Sequence, residues 1–97
     1  MRHAPIVHVS NARDAADGLV AALREYDLEG AALVRATAVA RLLRAWLVRG
    51  RPGSALALGR GVDHVRAVCA SRRLHESAPV RRALTAFTVA AERPFDR

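Results

Sequence analysis

The segment from Thr37 to Leu47 constrains the fold most, because its apolar residues recur at the spacing of one helix face. That face comprises Val39, Leu42, Leu43, Trp46 and Leu47. Arg41 and Arg44 fall on the opposite side, which is the pattern of an amphipathic helix. Gly50 and the Pro-Gly pair that follows are typical of a helix end. The sequence therefore predicts a helix that begins at Thr37 and ends near Gly50.

The size and composition of the chain predict one small domain with an aliphatic core. A chain of 97 residues is long enough for one core, and we expect a single domain over residues 1–97. Hydrophobic residues make up 52% of the chain and aromatic residues only 4%. The core must therefore be built from alanine, valine and leucine, with few rings.

The charge of the chain is strongly basic and unevenly placed. The formal net charge is +7, and residues 31–97 hold thirteen arginines against four acids. This asymmetry is compatible with an acidic protein partner, nucleic acid or an anionic membrane surface, and a solvated arginine-rich face is the simpler alternative. No apolar run is long enough to span a bilayer. Cys69 is the single cysteine, so a reducing, cytoplasmic location is expected.

Short apolar runs between the helical segments predict strands. Pro5 to Ser10 is rich in β-branched residues, and Ser54 to Leu58 is a short apolar run between glycines. Helices are predicted from Asn11 to Leu23, from Thr37, around Val62 to Cys69, and from Ser77. Helices that alternate with strands favour an α/β class, with a short mixed β-sheet flanked by helices.

Three consecutive segments resemble the STAS domains of bacterial anti-sigma-factor antagonists. They are VHVSNARDAADGLVAAL, DLEGAALVRATAVARLL and RPGSALALGRGVDHVRAVCASRRLHESAPVRRALTAF. Together they cover the chain from about Val7 to Phe87. The residues that match the family's turns and helices are Ser10, Asp14, Asp27, Leu28, Gly30, Leu42 and Leu43.

The resemblance implies a non-catalytic regulatory domain that docks a protein partner through the helix starting at Thr37. The partner would be an anti-sigma-factor kinase-like protein or other STAS subunits. Ala36 stands where the family carries its phosphorylated serine, so the usual switch is lost. Thr37 is either a phosphoacceptor or a helix N-cap. The predicted partner-binding residues are Arg35, Ala36, Thr37, Arg41 and Arg44.

Nucleic-acid binding is the alternative function, because five arginines follow one another in the two C-terminal helices. This patch lacks interleaved aromatic residues for stacking and lacks Asn, Gln or Lys for base readout. The sequence predicts no enzyme, cofactor or metal site. His64 and Cys69 are five residues apart and so on different helix faces, and Cys69 is predicted to pack in the core. The candidate phosphate-binding residues are Arg66, Arg72, Arg73, Arg81 and Arg82.

Overall fold

The computed structural model describes residues 4–92, with side chains from His8 onward, as an assembly of helices. A short 3-10 turn, Leu74–Glu76, precedes the last of these helices, and no strand occurs within residues 4–92. The four helices are α1 (Ala4–Tyr26), α2 (Ala31–Arg49), α3 (Ala55–Ser71) and α4 (Ala78–Glu92).

Each helix buries one narrow seam in which the residue spacing alternates between three and four. This spacing keeps a single stripe of side chains turned toward neighbouring helices, as in four-helix bundles. Trp46 and Phe87 are the largest fully buried side chains. The seams are Val9, Ala12, Ala16, Leu19 and Leu23 in α1; Ala32, Ala36, Val39, Leu43 and Trp46 in α2; Leu58, Val62, Val65 and Cys69 in α3; and Val80, Phe87 and Ala91 in α4, where the half-buried Leu84 completes the spacing.

The helices form a ring in chain order that is nearly open at one side. Short connections make successive helices antiparallel. α1 packs extensively against both α2 and α4, and α2 packs against α3. α3 and α4 contact each other far less, so a groove remains between them. The bundle is elongated, with extents of 40 × 20 × 20 Å.

The turn between α1 and α2 is held by a buried carboxylate. The backbone N–H of Leu33 donates to Asp27 Oδ2 at 2.8 Å, which satisfies one of the free N–H groups at the start of α2. Gly30 has a φ of 77°, a left-handed conformation that other residues rarely adopt. Glu29 forms a salt bridge with Arg72 at the end of α3. The turn therefore ties three helices together.

The connection between α2 and α3 packs directly against the core. Gly50 ends α2 in a left-handed conformation, and its N–H donates to the carbonyl of Leu47. A Cβ built on Gly53 would lie 2.5 Å from Trp46 Nε1, so only glycine lets the loop pass over the indole. Ser54 then caps α3 by accepting a hydrogen bond from the N–H of Ala57 at 3.3 Å.

The predicted α/β class and the STAS resemblance are both wrong. A STAS domain is built on a β-sheet, whereas the described residues form four helices without a strand. Pro5 to Ser10 lies inside α1, where proline is tolerated in the first turn. Ser54 to Leu58 is a cap followed by the first turn of α3. The chain is therefore not assigned to the anti-sigma-factor antagonists. The kinase-like and STAS-subunit partners that the resemblance implied are no longer supported.

Candidate functional site

An arginine-lined groove runs between α1 and α2 and brings together residues from both helices. Its volume is about 250 Å³. Because the two helices are antiparallel, the second half of α1 lies beside the middle of α2. The lining residues are Asp17, Val20 and Arg24 from α1, and Thr37, Ala40, Arg41 and Arg44 from α2.

Helical spacing explains why these side chains share one face of α2. Thr37, Arg41 and Arg44 are separated by four and three residues, so they lie one above another along the helix. Ala40 and Val20 supply the apolar floor between the helices, and small side chains there keep the groove open. The cationic groups therefore stand around a partly apolar cleft.

The groove is strongly positive, because its arginines outnumber its single carboxylate. Arg24, Arg41 and Arg44 line it, against Asp17 alone. The Asp17 carboxylate is already paired, since its Oδ2 lies 3.6 Å from Arg13 Nε. Residues 31–62 contain no aspartate or glutamate, so α2 adds no carboxylate near the groove. Within the described residues, few carboxylates therefore compete with an incoming acidic group for these guanidinium groups.

The surface of α2 on this side continues past the groove as exposed aliphatic side chains. Val34 is 66% exposed and Val48 is 82% exposed. Their positions, three residues before Thr37 and four residues after Arg44, place them on the same helix face as the groove. This face of α2 is thus cationic at its centre and apolar at both ends.

Three of the five predicted partner-binding residues lie together in this groove. These are Thr37, Arg41 and Arg44. Arg35 is exposed but does not line the groove, and Ala36 is buried in the core seam of α2. Sequence reasoning missed Arg24, which comes from the neighbouring helix. Only a prediction that α1 and α2 pack as an antiparallel hairpin could have placed Arg24 beside the residues of α2.

The predicted N-cap role of Thr37 is wrong, because α2 begins six residues earlier, at Ala31. Gly30 occupies the N-cap position without a side-chain hydrogen bond, and Asp27 supplies the carboxylate instead. Thr37 is half-buried in the wall of the groove. That Thr37 accepts phosphate stays a prediction.

The five arginines of the predicted nucleic-acid surface do not share one environment. Arg72 pairs with Glu29, and Arg73 Nε lies 3.0 Å from Glu76 Oε2. Arg66 lines the separate groove between α3 and α4. Arg81 and Arg82 are exposed on α4. Two of the five are thus already engaged with carboxylates of their own chain.

Cys69 is a packing residue in α3. Its side chain is fully buried in the core. Burial, followed by the nearby Asp27 carboxylate, raises the pKa of the thiol above its ordinary value. A raised thiol pKa keeps the reactive thiolate scarce at neutral pH, so the site lacks the chemistry of an activated cysteine.

The described residues offer neither a metal-binding cluster nor a membrane-spanning helix. Residues 4–92 contain no group of three or more His, Cys, Asp or Glu side chains placed to hold a metal ion. Across the same part of the chain, no helix combines the length and the apolar character needed to cross a membrane.

Comparisons of the chain with protein-family models, curated proteins and solved structures give no match.

Proposed function

We propose that this chain is a non-catalytic binding protein that takes an acidic segment of a protein partner in the groove between α1 and α2. The observation that carries the proposal is the convergence of Arg24, Arg41 and Arg44 around that groove. A cytoplasmic location is part of the proposal, and the buried free thiol of Cys69 supports it.

Guanidinium groups suit this role because each can donate two parallel hydrogen bonds to one carboxylate. Arginines from two different helices surround the groove, so an entering carboxylate can be held from both sides. Thr37 adds a hydroxyl that donates or accepts a hydrogen bond. The site therefore favours aspartate or glutamate side chains over a neutral segment.

The exposed valines favour a protein partner over nucleic acid. Val34 and Val48 continue the binding face at its two ends and offer apolar contact area. Protein interfaces combine an apolar core with an enrichment in arginine, whereas proteins that bind single-stranded nucleic acid use aromatic side chains for base stacking. A helix with acids at its centre and apolar residues at both ends matches the face along its whole length.

A labelled synthetic helix tests the proposal. The probe carries glutamates at its centre and leucines at both ends, and a control peptide carries glutamines in place of the glutamates. We expect the first peptide to bind in fluorescence anisotropy titrations. Arg41→Glu and Arg44→Glu should each weaken binding about tenfold or more, because a like charge then faces the glutamates.

Arg49→Glu is the matched control, because Arg49 is an exposed arginine of the same helix that does not line the groove. Affinity for the peptide should change little in this variant. Equal losses in all three variants would show only general charge attraction and would contradict the proposal. Tighter binding of a DNA duplex than of the peptide, with a steep fall in affinity between about 50 and about 200 mM salt, would favour nucleic acid.

A further inference from the structure

The groove between α3 and α4 is a second unpartnered surface, on the side of the ring opposite the arginine-lined groove. It has two adjoining sections of about 600 Å³ and about 440 Å³. Both sections are lined by Asp63 and Arg66, so these residues mark the middle of the groove. The surface runs from Ala55 to Ala70 along α3, which corresponds to about 24 Å of helix.

The floor of this groove is apolar and its rim is exposed. Leu58 and Val62 reach it from the core, and Leu84 lines it from α4. Leu56 stands at one end with 64% of its surface exposed. Gly59 lines the groove without a side chain, and a Cβ added there would meet no other atom within 4 Å, so the space above this residue is open. A helix of another molecule could therefore approach α3 closely.

Along α3, the ionisable side chains of the groove run from acidic near the start of the helix to basic near its end. Glu92 lies in the section near the start of α3 and His75 in the section near its end, while Asp63 and Arg66 line both sections, with Asp63 about one turn closer to the start of α3. Asp63 and Arg66 are both exposed, and neither takes part in a salt bridge within the described residues. The two central charges are thus available to a partner.

We propose that a second copy of this chain covers the groove between α3 and α4. A two-fold axis perpendicular to the middle of the groove makes the two copies antiparallel, so Asp63 of one groove lies opposite Arg66 of the other. Asp63 of each copy then meets Arg66 of its partner, and both pairs form at once. An interface between identical chains related by a two-fold axis requires such a self-complementary arrangement.

Charge reversal tests the pairing directly. We expect the wild-type chain to sediment at twice its 10.5 kDa mass in equilibrium ultracentrifugation. Asp63→Arg and Arg66→Asp should each weaken the dimer about tenfold or more, because like charges then oppose each other twice. Both residues are exposed, so each variant should fold, which far-ultraviolet circular dichroism checks.

Two restorations make the test specific. An equimolar mixture of the two single variants should form a heterodimer, because two arginines then face two aspartates. The double variant Asp63→Arg/Arg66→Asp should also dimerise. A wild-type monomer at all concentrations up to solubility, single variants that stay dimeric, or a failure of both restorations would overturn the proposal.

A second pair of variants tests the apolar groove without changing its charge. Gly59→Gln places a longer side chain over the groove. Gly18→Gln is the control, because it adds the same side chain on α1, at a position that is also free of neighbours within 4 Å. Both replacements improve helix propensity. Only Gly59→Gln should weaken the dimer, and an equal effect of both variants would overturn the assignment of this face.

Discussion

Gly59 and Gly61 lie two residues apart in α3, and their surroundings predict opposite effects of the same substitution. A Cβ on Gly61 would lie 2.8 Å from Val39 Cγ2, at the contact of α3 with α2. A Cβ on Gly59 would meet nothing. We expect Gly61→Ala to lower the free energy of unfolding by about 1–3 kcal/mol through overpacking. Gly59→Ala should raise it by about 0.5–1 kcal/mol through helix propensity.

Urea unfolding of the two variants checks this prediction under conditions where the chain is monomeric. The substitution is identical in both, so differences in the unfolded chain cancel. Equal shifts of the unfolding midpoint would mean that α2 and α3 do not approach as closely as Gly61 indicates.

The buried thiol of Cys69 makes stability depend on alkaline pH. The pKa of this thiol is raised above 9.0 in the folded chain, chiefly by burial. As the pH rises past 9.0, the unfolded chain loses the thiol proton first, so the free energy of unfolding should fall. Cys69→Ala should cost about 1–2 kcal/mol at neutral pH by leaving a small cavity. It should also remove this part of the pH dependence.

Urea titrations of both proteins at pH 7.5 and at pH 10 measure the Cys69 effect. The relevant quantity is the difference in the free energy of unfolding between pH 7.5 and pH 10, which a cavity alone does not change. Parallel losses in the wild-type and Cys69→Ala chains would mean that another group causes the alkaline destabilisation.

Among the structural elements, the turn between α1 and α2 depends on one carboxylate. Asp27→Ala removes the acceptor of the Leu33 N–H in a buried position, and we expect a loss of about 1–3 kcal/mol in the free energy of unfolding. Glu29→Ala in the same turn breaks only an exposed salt bridge and should cost less than about 1 kcal/mol. Thermal unfolding compares the two, and a larger loss for Glu29→Ala would contradict the role given to Asp27.

The helix α2 was predictable from its sequence, but its first turns were not. The spacing of Val39, Leu43 and Trp46 predicts the buried seam. The seam continues toward the N-terminus of α2 through Ala36 and Ala32 at the same spacing. Alanine contributes little to an apolar pattern, so this continuation was not recognised. The same reason hid Ala12 and Ala16, which join Val9 to the rest of α1.

The short apolar runs were misassigned because a run of five or six residues cannot distinguish a period of two from a period of 3.6. Asp27, Leu28 and Gly30 then resembled a family motif, although Asp27 and Gly30 serve the turn itself. In the candidate site, Thr37, Arg41 and Arg44 followed from spacing within one helix. Arg24 could not be placed, because its position depends on the packing of α1 against α2.

At the scale of the whole molecule, the two grooves lie on opposite sides of one ring of helices. α1 and α2 form one groove, and α3 and α4 form the other. Two copies joined through their α3–α4 grooves would each leave the arginine-lined groove uncovered and pointing away from the other copy. A partner with two acidic segments would then be held twice, and its second attachment would be governed by the length of chain between the segments. Such a dimer would therefore select its partners by the distance between their acidic segments as well as by their charge.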